Sequence, residues 1–432
     1  MSQADEVTVA LLGGGTVGAQ VARLILENAQ DLAARVGAPL RLTGVAVRDD
    51  SRHREGIPDE LLTTDAAALA ASGADVVVEL IGGVEPAGEL VAAALERGSS
   101  VVSANKALMA ERGADLHERA EQSGVDLYYE AAVAGAIPLL RPLLDSLSGD
   151  DVSRVLGIVN GTTNYILTKM DEEGADYASV LADAQALGYA EADPTADVEG
   201  LDAAAKAAIL ATLAFHTRVT LAGVHCEGIS SVTAADIAAA HEMGFVIKLL
   251  AIAEYDQANN SVSVRVHPTM VPVNHPLASV REAFNAVFIE AEAAGDLMFY
   301  GQGAGGAPTA SAVLGDLVTA ARHKVMGSRG ALSSTYNDAT VLPIEDAVTS
   351  YYMSLTVEDV PGVLARIAGV FANNGVSIAG VRQEGQGHNA RLVVRTHSAR
   401  EGDISNTVAE LQDLDAVSEV VGLMRVLDTE GS

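Results

Sequence analysis

Cysteine is almost absent from this 432-residue chain. Cys226 stands alone, which excludes a disulfide framework within the chain and fits a reducing compartment. Tryptophan is missing, and aromatic residues make up only 4%. The 49% hydrophobic content therefore rests on small and aliphatic side chains, with alanine supplying much of it. No uninterrupted apolar run approaches the roughly 18 residues of a membrane helix. The first residues, MSQADE, are acidic and lack the core of a signal peptide. Positive charge is scarce too: 27 Lys and Arg stand against 58 Asp and Glu, a net charge of −31. Nucleic acid and anionic membranes repel such a polyanion, so neither is expected as a partner. A cytoplasmic protein is expected.

Glycine, by contrast, is placed with purpose. Val7 to Leu12 is a short apolar run that reads as a buried parallel strand. Gly13, Gly15 and Gly18 follow as G-x-G-x-x-G, and Val17, Val21, Leu24 and Ile25 continue at helical spacing. The first glycine permits a tight turn, the second lets backbone approach a pyrophosphate, and the third lets helix pack on strand. The helix N-terminus then faces the negative charge. Strand, loop and helix in this order predict a dinucleotide site.

The next strand, RLTGVAVRDD, bears on which dinucleotide. An acidic residue at its end suits a ribose 2′-hydroxyl, and an arginine suits a 2′-phosphate. Arg48 comes first, then Asp49, with Arg52 and Arg54 behind. The planar guanidinium fork favours phosphate, so NADP is expected, with Asp49 keeping NAD open.

A lysine also sits one turn after an aspartate inside an apolar helix: Asp202 and Lys206 in LDAAAKAAILATLAF. Residues four apart share a helix face. A charge pair among Ala, Leu and Ile costs desolvation and is a weak device for stability. It reads either as a satisfied interior ion pair or as chemistry.

Residues 1 to 130 alternate strands and helices, which predicts a doubly wound α/β sheet with ligands at the strand carboxyl ends. The strand-like runs include DVVVELIG, SVVSAN and VDLYYEAA, and Gly98 is a natural helix stop after EPAGELVAAALERG. Ser103, Asn105 and Lys106 follow one strand, which places Lys106 at the cleft mouth. Residues 131 to 325 read as an α+β substrate domain with a carboxylate-rich loop holding Glu191, Asp193, Asp197 and Glu199. Residues 326 to 349 are a polar, turn-rich connection, and 350 to 432 form a separate tail. His216, His225 and His241 lack metal-ligand spacing.

Several of these stretches together resemble one family. SANKAL, EAAVAGAIPLL, VNGTTNYIL, GYAEADPTADVEGLDAAAKAAIL and YGQGAGGAPTASAVLGD are similar to homoserine dehydrogenase from residue 7 to about 325. The resemblance implies an NAD(P)-dependent oxidoreductase that interconverts L-homoserine and L-aspartate 4-semialdehyde, in threonine, methionine and isoleucine biosynthesis. It implies that Lys206 is the catalytic lysine and that Lys106 lies near the nicotinamide; either amine can carry the proton, and the Asp202–Lys206 spacing favours Lys206 as the acid/base. Glu191 and Asp202 match residues that bind the substrate. Thr16 and Val17 match backbone contacts to the cofactor, and Gly303 and Gly305 match the loop over its nicotinamide end. A monovalent cation such as sodium is implied at Glu130, Val133, Gly135 and Ile137, as is a homodimer or homotetramer.

The tail reads β-α-β-β-α-β and resembles an ACT domain, the ferredoxin-like module that binds amino acids. The stretch Asp359-Val360-Pro361-Gly362 reads as a helix cap. The resemblance implies effector contacts at Asp359, Gly362 and Ser377, with threonine as the expected inhibitor. Serine at 377 departs from the asparagine frequent at that place. Two other readings are weaker. A thioester-forming semialdehyde dehydrogenase needs a nucleophilic cysteine, and Cys226 lies outside the motifs. A non-catalytic NADP-binding amino-acid sensor would not need Lys206, Asp202 and Glu191 together.

Overall fold

The computed structural model describes residues 6–330, 335–384 and 390–428. Residues 1–5 of the acidic start and 331–334 of the connection lie outside them.

The first segment runs β1 (Val7–Leu12), α1 (Thr16–Glu27), α2 (Ala29–Val36), β2 (Leu40–Ala46), β3 (Leu62–Thr63), α3 (Ala66–Ala70), β4 (Val76–Glu79), α4 (Ala87–Glu96), β5 (Ser100–Ser103), α5 (Lys106–Ser123) and β6 (Leu127–Tyr128). The six strands pair in parallel in the order β3-β2-β1-β4-β5-β6. The order reverses between β1 and β4, which opens a crevice at their carboxyl ends. Val76, Val77 and Val78 are fully buried, as continuous apolar strands in a sheet covered on both faces should be. Gly98 takes the left-handed conformation just past α4. The stretch VDLYYEAA yields only two strand residues, because Glu130–Ala132 turns into a 3₁₀ segment. The Glu130 carboxylate causes the turn: it reaches forward to accept from the backbone N–H groups of Leu139, Leu140 and Arg141.

The middle segment runs β7 (Val152–Ile158), α6 (Gly161–Glu173), α7 (Tyr177–Ala186), α8 (Thr195–Val198), α9 (Leu201–Ala214), β8 (His225–Cys226), α10 (Ala234–Glu242), β9 (Phe245–Asp256), β10 (Ser261–Pro272), β11 (Phe284–Ala291), β12 (Gly295–Gln302) and α11 (Gly306–Met326). The tail runs β13 (Thr340–Val341), β14 (Val348–Val357), α12 (Val363–Asn373), β15 (Ile378–Glu384), β16 (Ala390–Thr396), β17 (Ala399–Arg400), α13 (Glu401–Gln412) and β18 (Val417–Val426).

Middle segment and tail share one mixed sheet, β12-β11-β7-β9-β10-β18-β14-β16-β15. Its last four strands carry the ferredoxin-like order, with α12 and α13 over a core around Phe371 and Leu355. The join is β10. One edge of β10 pairs with β9 along its whole length, while the other takes β8 at Arg265 and Val266 and β18 at Thr269 and Met270. Pro268 falls between these two short pairings, where no backbone donor is needed. Helix α9 lies against β9 and β10 and also against α5. Helix α11 turns back to the first sheet: Ala310, Val313, Leu317, Ala320 and Ala321 join Val9, Val21 and Ile25 in one core. No described helix is long and apolar enough to cross a membrane.

Candidate active site

The glycine loop has the shape its spacing demands. Gly13 has φ +113, and a side chain on it would collide with the Leu80 carbonyl. A methyl on Gly18 would collide with the Gly13 carbonyl oxygen. Gly15 faces open space, with nothing within 4 Å of where a methyl would sit. Helix α1 begins there with no side-chain cap and no acidic residue in its first turn. Helix α11 begins at Gly305 in the same uncapped, acid-free way. The two N-termini meet, since a methyl on Gly306 would lie 3.1 Å from the Thr16 methyl. Two helix dipoles therefore present positive ends and free N–H groups to one place, which fits the diphosphate of a dinucleotide. Val17 is half-buried against the core, and Arg48 is exposed just past the end of β2.

The ends of β4 and β5 are tied by a buried carboxylate. Glu79 accepts from the Ile81 and Gly82 N–H groups and from the Ser103 hydroxyl, at 2.7, 3.1 and 2.7 Å. Ser103 is itself buried and accepts from the Asn105 N–H. Asn105 caps α5 through the Leu108 N–H and donates to the Gly83 carbonyl. This network fixes the start of α5, whose first residue is Lys106.

Lys106 and Lys206 meet on Asp202. Lys106, half exposed, pairs with Asp202 Oδ1. Lys206, only 8% exposed, donates to Asp202 Oδ2 at 2.7 Å and to the Val159 carbonyl at 2.6 Å. An ammonium carries three donors, so one remains uncommitted. Asn160 Nδ2 adds a third donor to Asp202 at 2.8 Å and bridges to Asp197 Oδ1 at 2.7 Å. Burial alone would raise the Asp202 carboxyl, but the ammonium groups of Lys206 and Lys106 outweigh it. They hold the group well below the usual carboxylate range. The other predicted carboxylate, Glu191, is exposed between α7 and α8. Its side chain makes no hydrogen bond or ion pair among the described residues, and its carbonyl accepts from Gln185. Asp197 belongs to the carboxylate-rich loop read from the sequence, whereas Asn160 was not singled out there, although NGTT reads as a tight polar turn. Behind this cluster, between α5 and α9, lies a cavity of about 340 Å³ lined by Met109, His117, Tyr128 and Ile209. It contains none of the three charged residues.

The loop 130–137 packs against the glycine turn after β12. Ala134 and Gly135 both have positive φ, and a side chain on Gly135 would collide with the Gly303 carbonyl. The Ala136 N–H donates to the Gln302 carbonyl. The Glu130 carboxylate is taken up by the Leu139, Leu140 and Arg141 N–H groups, and its carbonyl accepts from the Val133 N–H at 3.4 Å. Val133 and Ile137 are buried. In the tail, the cap of α12 is Gly362 itself, at φ +96. The Asp359 carboxylate does not cap the helix: it accepts from Gln383 Nε2 at 2.8 Å, because the intervening turn carries it toward β15. Ser377 is exposed one residue before β15.

Comparisons with known proteins agree with this architecture. Residues 13–130 match the family model described as homoserine dehydrogenase, NAD binding domain, and 138–318 the one described as homoserine dehydrogenase. Residues 351–416 match the ACT domain. A homoserine dehydrogenase of Mycobacterium tuberculosis is 58% identical over 98% of each chain. That of Corynebacterium glutamicum is 56% identical over 97% of this chain and 95% of its own. The crystal structure of a homoserine dehydrogenase from Thiobacillus denitrificans superposes with a TM-score of 0.92 at 39% identity, covering 98% of both chains. A hyperthermophilic archaeal homoserine dehydrogenase in complex with NADPH gives a TM-score of 0.62 at 25% identity, over 73% of this chain and 97% of its own. The chain belongs to the homoserine dehydrogenase family.

Proposed function

We propose that the chain interconverts L-homoserine and L-aspartate 4-semialdehyde, with Lys206 as acid/base, Lys106 as electrostatic partner, and Asp202 and Glu191 as substrate contacts. The observation that carries this is the buried Lys206 ammonium, with one donor uncommitted beside a second amine at the carboxyl ends of a nucleotide sheet. A nicotinamide held at the glycine loops would supply the hydride for the aldehyde carbon in one direction and take it back in the other. Negative charge then develops on the substrate oxygen. In this reading Lys206 gives that oxygen a proton and Lys106 stabilises its charge. Asp202 and the Val159 carbonyl aim the Lys206 amine. The unpaired Glu191 carboxylate is available for the substrate ammonium.

Gly13, Gly15, Thr16, Val17 and Gly18 would hold the cofactor diphosphate, with Gly303 and Gly305 at the nicotinamide end. Ser103 would act from beneath the cleft by ordering it through Glu79. The exposed Arg48 supports NADP over NAD. Arg48→Ala should then raise the KM for NADP about tenfold and leave that for NAD within about twofold, the value of a charged hydrogen bond. The turn of Glu130, Val133, Gly135 and Ile137 offers backbone carbonyls, the hard ligands that a monovalent cation such as sodium prefers.

Threonine is the effector we propose for the ACT module, touching Asp359, Gly362 and Ser377. No inhibition at millimolar threonine would remove that claim. A homodimer or homotetramer is supported by the outer edges of β12 and β15, which pair with no further strand among the described residues, and a cytoplasmic location by the single free thiol, Cys226. In this reading the residues divide as 1–130 for cofactor, 131–325 for substrate, 326–349 as connection and 350–432 for regulation. Homoserine-dependent reduction of NADP and NAD, measured side by side, tests the activity. Near wild-type turnover in Lys206→Ala would overturn the site.

A further inference from the structure

Arg425, the penultimate residue of β18, is the most heavily committed side chain of the tail. It is only 11% exposed at its side chain and lies at the point where β18 meets β10. Its fork is bidentate to Glu227, with NH1 to Oε2 at 2.7 Å and NH2 to Oε1 at 2.8 Å. Its other edge holds Glu401, at 2.8 Å from Nε and 3.1 Å from NH2. The Tyr351 ring lies 5.5 Å from the guanidinium, and its hydroxyl donates to Glu401. Tyr351 and Glu401 belong to the ACT module, but Glu227 does not. Burial favours protonation of Glu227, yet His225 and Arg425 outweigh it and keep the carboxyl charged. Arg425 thus ties the tail to the middle segment through a bidentate ion pair.

Glu227 follows β8, and its N–H donates to Val266 on β10. The residues around it brace the turn between α8 and α9. The Cys226 thiol donates to the Glu199 carbonyl at 3.2 Å, and the Ile229 N–H donates to the Val198 carbonyl at 2.8 Å. Ser230 donates to the Glu199 carboxylate at 2.6 Å. Gly228 must be glycine, since a methyl there would strike the Val198 carbonyl. The braced turn ends at Gly200, which starts α9 at φ +79. Two residues on is Asp202, whose carboxylate holds both lysines.

We propose that Arg425 is a positioning residue for homoserine binding: through Glu227 it fixes the 226–230 segment against the 198–200 turn, and so the aim of Asp202. The path is short: an ion pair, hydrogen bonds and a close backbone contact, joined by a few residues of chain. It also gives the ACT module a physical handle on the substrate site, since a shift of β18 pulls on Glu227 first. The proposal rests on the reading of Asp202 as a substrate-site residue.

The test compares two variants that each remove one arm of the same arginine. Glu227→Gln cuts the arm to the catalytic half, and Glu401→Gln cuts the arm within the ACT module. Homoserine KM, NADP KM and the melting temperature are read on the full chain. Glu227→Gln should raise the homoserine KM by about five- to tenfold, a normal coupling between sites, with the NADP KM unmoved. Glu401→Gln should leave the homoserine KM within about twofold even where it lowers the melting temperature. Equal rises in both variants, or an unchanged homoserine KM in a folded Glu227→Gln, overturn the proposal. Should Glu227→Gln fail to fold, Cys226→Ala reads the same brace with the ion pairs intact. A raised homoserine KM there supports the proposal and an unchanged one overturns it. Asp202→Asn separates the two readings. If it leaves the homoserine KM unchanged, the site reading itself fails; if it raises it while Glu227→Gln does not, only the Arg425 proposal fails.

Discussion

Lys106 and Lys206 divide one carboxylate between them, Lys106 on Asp202 Oδ1 and Lys206 on Oδ2. Their surroundings differ sharply: the Lys106 side chain is 46% exposed and that of Lys206 10%. The same deletion should therefore have two different signatures. Lys206→Ala removes the proton donor and should cut kcat by about 10²- to 10⁴-fold. It also strips a partner from a buried carboxylate, which costs on the order of 3 kcal/mol. Lys106→Ala should lower kcat while leaving the melting temperature almost unchanged, because an exposed ammonium contributes little to stability. Turnover and thermal unfolding on the two variants check this. Equal losses of stability would contradict the assigned burial.

The glycine loop offers a cleaner separation of fold from function. Gly15 opens on empty space and Gly18 on the Gly13 carbonyl. Gly15→Ala should fold normally and raise the cofactor KM, because the methyl projects where the diphosphate would approach. Gly18→Ala should destabilise the chain by about 2 kcal/mol or more, since backbone must move to admit it. Cofactor KM and chemical denaturation distinguish the two. A Gly15→Ala variant with wild-type cofactor KM would show that this face of the loop is not used.

What could be read in the sequence was local. The strand–glycine–helix unit and the Asp202–Lys206 spacing both follow from periodicities within one element. The meeting of Lys106 with Asp202 does not, because it depends on how α5 packs on α9. Asn160 reaches Asp202 across 42 residues and Arg425 reaches Glu227 across 198. Such pairs are set by the sheet order, which a single sequence encodes only through the whole core. The return of α11 to the first sheet was hidden for the same reason. Its apolar stripe shows that it is buried, but not against what. The stretch Asp359–Gly362 holds the helix cap as its composition suggests, but sequence does not show that Gly362 supplies it while the Asp359 carboxylate turns to Gln383.

Two buried acids, Glu130 and Asp316, share Arg141, which lies 3.5 Å from one and 3.0 Å from the other. Burial pushes the Asp316 carboxyl up to about 7, against the pull of Arg141 and of the Glu130 N–H, while the Glu130 charge adds to the rise. The unfolded value is about 3.9. The folded state therefore holds this proton more tightly than the unfolded one. The associated stability is complete below pH of about 4 and is lost as pH rises through about 7. Asp316→Asn should remove that slope, and at pH 8 it should be at least as stable as the wild type. Urea unfolding of both proteins at pH 5 and pH 8 measures the difference. An unchanged slope in the variant would mean that Asp316 stays ionised throughout.

Asn160 has two jobs at opposite ends of one amide. Its Oδ1 accepts from the Thr163 N–H at 2.9 Å and caps α6, while its Nδ2 bridges Asp197 and Asp202. A serine can keep the first job but not the second, because its hydroxyl caps well and its single donor cannot span two carboxylates. Asn160→Ser should thus hold the melting temperature near wild type and raise the homoserine KM by about tenfold, the value of a hydrogen bond to a charged group. Asn160→Ala loses both jobs, and should lose about 1 kcal/mol of stability from the missing cap in addition. If Asn160→Ser binds homoserine like the wild type, the bridge to Asp202 does not shape the substrate site. The capping role would then account for this residue alone.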